Sequence, residues 1–349
     1  MKFLYALLVL VPAALIMDFG GIGGHSAVFV VSALAMVPLA AILGRATEEV
    51  AVFTGPKIGG LLNATLGNAA ELIITIIALR EGLTEVVKAS IAGSIIGNIL
   101  VVLGFSILVG GLKHGTQTFD PRVAGANATM MALAVIALCI PAVFSLGGEN
   151  IRPSEQDIER LSDGMAVVLI VLYALYLIFT LRSGDSSHKQ EAHKASSMKL
   201  SLAIGLLAGS TIAIVVMSEV LVGAIAPTAE SWGLTELFIG VMLIPLVGNI
   251  AEHFVAVQVA AANKMDLSLG IAVGSGLQIA LFVTPVLVLA GWALGTPMTL
   301  VFNSYELMGL IAASLIAVLI SVDGESHWLE GAQLLALYAI LGMAFYFVP

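Results

Sequence analysis

The sequence predicts an all-α polytopic membrane protein with eleven transmembrane helices: one extra N-terminal helix followed by two inverted-topology repeats of five. Three observations lead there. Of 349 residues, 59% are apolar and only 11% charged, against about 25% charged in soluble domains, and mean hydropathy is +1.07. The apolar residues come in long continuous runs, not in the alternation of a β-barrel. A stretch of the first half also recurs in the second at a fixed offset. Composition excludes a soluble enzyme, and a net charge of −9 offers no basic footprint for nucleic acid. The single cysteine, Cys139, lies inside an apolar run, so no disulfide framework exists.

A bilayer-spanning helix needs about 20 residues. Eleven stretches qualify: 2–18, 26–53, 56–80, 84–111, 122–144, 163–182, 198–225, 233–262, 267–293, 305–322 and 330–348. Only 145–162 and 183–197 are longer polar connections, so functional groups must sit in or beside the membrane. With a cytoplasmic N-terminus, Lys2, Arg45, Lys57, Lys113, Arg122, Arg182, Lys189, Lys194, Lys199 and Lys264 fall inside or at the inner boundary. Arg80, Lys88, Arg152 and Arg160 fall outside. That bias predicts N-in and C-out. Lys2 and the apolar run behind it also fit a signal peptide, but Asp18-Phe19-Gly20-Gly21 is a poor cleavage site, so the first helix is expected to be retained.

Laid on the second half of the chain, segment 58–102 falls over 239–283 without a gap. Gly67-Asn68-x-Ala70-Glu71 falls on Gly248-Asn249-x-Ala251-Glu252, and Gly93-Ser94 on Gly274-Ser275. The first copy begins in the third span and the second in the eighth. Five crossings separate them, so the copies run oppositely through the bilayer, as in secondary transporters whose sites lie near the midplane. The expected organisation is an extra helix and loop over 1–25, a first five-helix repeat over 26–182, a cytoplasmic linker over 183–197 and a second repeat over 198–349.

Glu71 and Glu252 lie well inside apolar helices. A lone ionised carboxylate at a helix centre costs about 2.5–3.5 kcal/mol on insertion scales, so both require a compensating charge or a proton. Asn68 and Asn249 precede them by three residues, a spacing that shares a helix face. Ser94 and Asn98, and Ser275 and Gln278, form a polar stripe on the next helix of each half, and the surrounding glycines permit close backbone approach. This all-oxygen set with two negative charges suits a hard divalent cation. Ca²⁺, with about 6–8 oxygens in flexible geometry, is favoured, and Mn²⁺ stays open. One Ca²⁺ or two protons neutralises the pair. If only neutral states change their opening, Ca²⁺ and H⁺ must exchange, with at least two protons per Ca²⁺.

The paired Gly67-Asn68-Ala69-Ala70-Glu71 and Gly248-Asn249-Ile250-Ala251-Glu252 segments resemble the signatures of the Ca²⁺/H⁺ antiporters, the cation/proton exchanger family of the Ca²⁺/cation antiporter superfamily. Gly93–Asn98, Gly274–Ile279, Gly44–Glu48, Ser218–Val222 and Asp323–Gly331 resemble further family segments. The resemblance implies a ten-helix core of two inverted halves, glutamates alternating between Ca²⁺ and protons, and access switched by sliding of the helices that bear Glu49 and Glu219. The short N-terminus and the weakly charged 183–197 linker depart from vacuolar members and point to a prokaryotic plasma membrane.

The expected ion contacts are Glu71, Glu252, Asn68, Asn249, Ser94, Ser275, Asn98 and Gln278, the last two also as orienting groups. Glu49, Glu219 and His253 are candidates for gating or a proton route, although His253 lies about 100° around the helix from Glu252. Asp323–Glu330 reads as a structured inner turn and Glu149–Asp163 as a solvated outer loop. No cofactor and no nucleic-acid partner is expected; the partners are Ca²⁺, protons and lipid, with a homo-oligomer left open. Rival readings are a Na⁺-driven Ca²⁺ exchanger, a Mn²⁺-preferring cation/proton antiporter, a passive channel, and a hydrolase built on Ser275 and His253, which lacks an H-E-x-x-H motif.

Overall fold

The computed structural model describes residues 5–147, 153–183 and 198–348. Residues 1–4, 148–152, 184–197 (all but the first residue of the linker expected over 183–197) and 349 lie outside that description. The described chain is helical apart from two short strands. Seven of its helices are long and apolar enough to cross a bilayer, or eight if the bent pair Glu236–Ile250 and Glu252–Ala261 counts as one span. Leu7–Gly20 and Ser304–Ile320 are apolar but shorter. Large apolar side chains point outward all round: Ile136, Val143, Phe179 and Trp292 are each more than 60% exposed. Such a surface belongs in lipid.

The helices are α1 (Leu10–Gly20), α2 (Gly24–Leu66), α3 (Ala69–Arg80), α4 (Thr84–Gly97), α5 (Leu103–His114), α6 (Pro121–Leu146), α7 (Glu155–Ser183), α8 (Leu200–Gly223), α9 (Ile225–Trp232), α10 (Glu236–Phe238), α11 (Ile244–Ala261), α12 (Met265–Gln278), α13 (Thr284–Leu294), α14 (Ser304–Ile320) and α15 (Trp328–Phe347). Strands β1 (Gln117–Thr118) and β2 (Glu325–Ser326) pair antiparallel. β2 lies in the Asp323–Glu330 stretch and so makes it a structured turn. The acidic Glu155–Asp163 segment, expected as loop, is the first part of α7. Its carboxylates sit at a helix N-terminus, where the dipole favours them.

Two breaks prepare the site. Within α2, Gly55 has φ 82° and ψ 169°, a backbone only glycine adopts cheaply, and the following proline disfavours helix at that position. At Gly67-Asn68 the helix stops and restarts: Asn68 (φ −97°, ψ 23°) caps α3. The equivalent stretch of the second half bends by 67° between Ile250 and Glu252. Gly-Asn has low helix propensity in both places.

The register that lays 58–102 over 239–283 also superposes α4 on α12 at both ends, Thr84 on Met265 and Gly97 on Gln278. Each helix runs directly into a π-turn, Asn98–Val102 and Ile279–Val283, again in the same register. π-turns inside α-helices are rare and concentrate at functional positions. α4 crosses the π-turn Ile239–Leu243 almost backbone to backbone. A methyl group on Gly93 would run into the Val241 carbonyl, and one on Gly240 would lie 2.6 Å from the Ala89 methyl. Small residues permit this approach, and it brings the polar stripe of α4 against α11.

Polar ties hold the ends. At the His114 end of α5, Lys113 Nζ (2.8 Å), a His114 ring nitrogen (2.9 Å) and Gln117 Nε2 (3.0 Å) meet the last carbonyls of α11, those of Ala260 and Ala261. Cations and donors belong there, where helix carbonyls lack partners. At the Thr84 end of α4, Lys88 Nζ pairs with Glu85 at 2.6 Å and donates to the Val301 carbonyl at 2.9 Å.

Candidate cation site

Glu71 occupies the first turn of α3, directly after the Asn68 break, and is 3% exposed. The positive end of the α3 dipole therefore faces its carboxylate. Oε1 accepts from the Ser94 hydroxyl on α4 and from Asn249 Nδ2 on α11. Oε2 is buried and has no hydrogen-bond partner. Glu252, on the far limb of the bent α11, likewise has a buried Oε2 without a partner.

The two glycines of the repeated motif are seated crosswise. A methyl on Gly248 would stand 2.7 Å from Glu71 Cγ, and one on Gly67 would stand 3.5 Å from Glu252 Oε1 and 3.4 Å from Gln278 Oε1. Each glycine thus abuts the glutamate of the other copy, and each clears room that a side chain would fill. The asparagines cross as well. Asn249 bonds Glu71, whereas Asn68 Nδ2 donates to Gln278 Oε1 at 2.6 Å and its Oδ1 accepts from Ser275 Oγ at 3.1 Å. Asn98 Nδ2 donates to Ser275 Oγ at 3.1 Å.

The eight residues expected as ion contacts gather in one cluster, six of them buried and Glu252 and Gln278 half-buried. The details differ from the expected helix faces. Asn68 sits at the break as the N-cap of the helix that carries Glu71, and its side chain bonds to Gln278 and Ser275 of the other copy rather than to Glu71. Asn98 and Gln278 bond to Ser275 and Asn68 rather than to a carboxylate, the orienting role. Thr75 and Ser90, next to Glu71 and Ser94, were not singled out by sequence. They lie one helical turn from Glu71 and Ser94 respectively, on the same faces, and that spacing was the available signal.

The gating candidates lie elsewhere. Glu219 is exposed near the end of α8 and bonds with both oxygens to Arg80 Nη2 at 2.9 Å, tying α8 to the end of α3. Glu49 is half-buried on α2. His253 is half-buried, and its Nε2 is buried without a partner.

Chemically, the cluster offers two carboxylates with orphaned oxygens and neutral amide and hydroxyl groups. No group of three or more His, Cys, Asp or Glu residues gathers for a metal among the described residues. An unpartnered buried carboxylate oxygen costs the full desolvation of that atom, and a hard cation or a proton supplies the missing partner. Two carboxylates amid neutral oxygens can hold such an ion and also release it.

The chain matches the model of the sodium/calcium exchanger protein family over residues 25–182 and 202–347. It is 48% identical over 339 residues to a Ca²⁺/H⁺ antiporter of Aphanothece halophytica, covering 92% of this chain and 90% of that one. It is 46% identical over 367 residues to a Ca²⁺/H⁺ antiporter of Synechocystis, covering 100% and 98%. Among solved structures it resembles native YfkE with a TM-score of 0.87 and 40% identity, over 99% of both chains. The chain belongs to the sodium/calcium exchanger protein family, a family of membrane transporters and not of enzymes, whose members similar to it include Ca²⁺/H⁺ antiporters.

Proposed function

We propose that this chain exchanges Ca²⁺ for H⁺ across the cell membrane by alternating access, with Glu71 and Glu252 together holding either one Ca²⁺ or protons. The observation that carries this is the crosswise seating: Gly67 against Glu252 and Gly248 against Glu71, with one buried oxygen of each glutamate left unpaired. Relatives named Ca²⁺/H⁺ antiporters support the choice of ions. Ca²⁺ suits the all-oxygen donor set, in which Asn68, Asn249, Ser94 and Ser275 contribute directly or through water while Asn98 and Gln278 orient them. No cofactor enters this scheme.

The mechanism follows from charge. The pair of ionised carboxylates is expensive to carry through a membrane. Ca²⁺ neutralises it, and so do two protons. Restricting the switch to neutral forms couples the two flows. The helices bearing Glu49 and Glu219 are the moving elements in this reading.

The eleven-span, two-half layout supplies the switch. In this reading the seven long helices and the bent pair are joined as spans by the shorter Leu7–Gly20 and Ser304–Ile320 and by the stretch from 56 to Arg80, which would make eleven. The halves are 26–182 and 198–349, after an extra helix over 1–25, with a cytoplasmic linker over 183–197 and a cytoplasmic N-terminus. Opposed orientation has a specific support. α3 ends beside Thr84, at one end of the continuous α4–α5 span, whereas α11 ends against Lys113 and His114, at the other. The matching bounds of α4 and α12 support the repeat itself.

Proteoliposome ⁴⁵Ca²⁺ uptake driven by an imposed pH gradient, without Na⁺, tests the proposal. Wild type accumulates Ca²⁺; Glu71→Gln and Glu252→Gln do not. Uptake that requires Na⁺, or persists in both variants, contradicts it.

A further inference from the structure

Beside Glu71 lies a small, partly open cavity with room for about one water molecule. Its polar walls are Glu71, Thr75, Ser90 and Ser94; Ile279 and Val283 close it from the π-turn of the other copy. Thr75 and Ser90 are each 3% exposed. The Thr75 hydroxyl donates to the Glu71 carbonyl at 2.7 Å, so it meets the cavity as an acceptor. The Ser94 hydrogen is committed to Glu71 Oε1. Glu71 Oε2 is the buried oxygen without a partner. A water here has the two to four polar partners that buried water needs. The equivalent positions of the second copy are Ala256 and Ile271, which carry no hydroxyl. The two hydroxyls that line this cavity therefore have no counterpart at the equivalent positions of the second copy.

We propose that the Thr75–Ser90 cavity retains one water as a ligand of the transported cation beside Glu71, so that these two hydroxyls set how strongly hydrated an ion the site accepts. The inference rests on the reading of Glu71 as a cation ligand. Its logic is coordination: small divalent ions hold their water tightly and reach fewer protein oxygens, whereas larger ones accept flexible all-protein oxygen sets. A site that keeps one water tolerates the smaller ion. A site stripped of it demands complete dehydration on that side.

The test uses full-length protein in proteoliposomes, measuring the KM for ⁴⁵Ca²⁺ and the inhibition of its uptake by Mg²⁺, Mn²⁺ and Sr²⁺. In the Thr75→Val/Ser90→Ala variant the Ca²⁺ KM rises about fivefold, the loss of about one hydrogen-bonded ligand. Inhibition by Mg²⁺ and Mn²⁺ weakens by more than that factor and inhibition by Sr²⁺ by less. Thr75→Ser, which keeps the hydroxyl, retains the wild-type order. A merely destabilised protein loses uptake by one common factor for all ions; that result, or unchanged constants, overturns the inference. Glu71→Gln in parallel separates the two claims. If it transports normally, the Glu71 reading itself fails; if it is inactive while the cation order of the double variant is unchanged, only the water ligand fails.

Discussion

Replacing Gly248 by alanine adds one methyl group, and the geometry says where it goes. It would stand 2.7 Å from Glu71 Cγ, where ordinary contact begins at 3.4 Å. Glu71 must therefore retreat by at least roughly 0.7 Å, because the other party is a helix backbone held in a packed interface. Its carboxylate is fixed by Ser94 and Asn249, and hydrogen bonds to charged groups contribute about 1.5–3 kcal/mol each. Losing one of the two raises the KM for Ca²⁺ about 10- to 100-fold. Alanine is the better helix former by about 1 kcal/mol, so weaker helix formation does not produce the loss. The assay is ⁴⁵Ca²⁺ uptake into proteoliposomes over a range of Ca²⁺, with Gly125→Ala as the control, since a methyl there meets nothing within 4 Å. A Gly248→Ala protein with the wild-type KM would refute the crosswise seating and the proximity of the two copies.

Other expectations follow from the same contacts. Gly93→Ala drives a methyl into the Val241 carbonyl; it destabilises the protein by about 1–3 kcal/mol or more, which thermal unfolding in detergent detects as a lowered Tm. Arg80→Gln removes the tie to Glu219, but both side chains are nearly half exposed, so the Tm falls only slightly and the difference shrinks in high salt. A larger, salt-insensitive loss would mean the pair is not a surface contact. Lowering the pH on the Ca²⁺-loading side raises the KM for Ca²⁺, because protons compete for the same carboxylates, and the final Ca²⁺ ratio varies at least as the square of the proton ratio. A linear dependence would leave only one proton per Ca²⁺ and break the charge argument.

Much of this was legible in the sequence because intramembrane carboxylates are costly and therefore conspicuous. Glu71 and Glu252 stood out against apolar surroundings, and the constant offset between the two copies tied Asn68, Ser94 and their counterparts to them. That offset reappears in the bounds of α4 and α12. Other features were hidden for physical reasons. The helix break at Asn68 moved its side chain to the opposite copy, since Gly-Asn can sit in a helix or end one and only tertiary packing decides. The seat of Gly248 against Glu71 joins segments far apart in the chain, so local spacing carries no trace of it. Glu155–Asp163 read as loop because its charges outweighed its helical pattern, yet acidic residues are the ones a helix start favours. In the sequence Lys88 counted only as an outer-side charge; its burial goes with a hydrogen bond to the carbonyl of Val301, more than 200 residues away, which local spacing does not reveal.

The central claim is that one cation is shared by two glutamates from the two copies of a single motif. Equilibrium ⁴⁵Ca²⁺ binding to the purified protein, at a pH that keeps competing protons low, addresses it directly. The account predicts one Ca²⁺ per chain and loss of that binding in Glu71→Gln and in Glu252→Gln alike. Two Ca²⁺ per chain, each removed by only one of the substitutions, would mean separate sites and would contradict it.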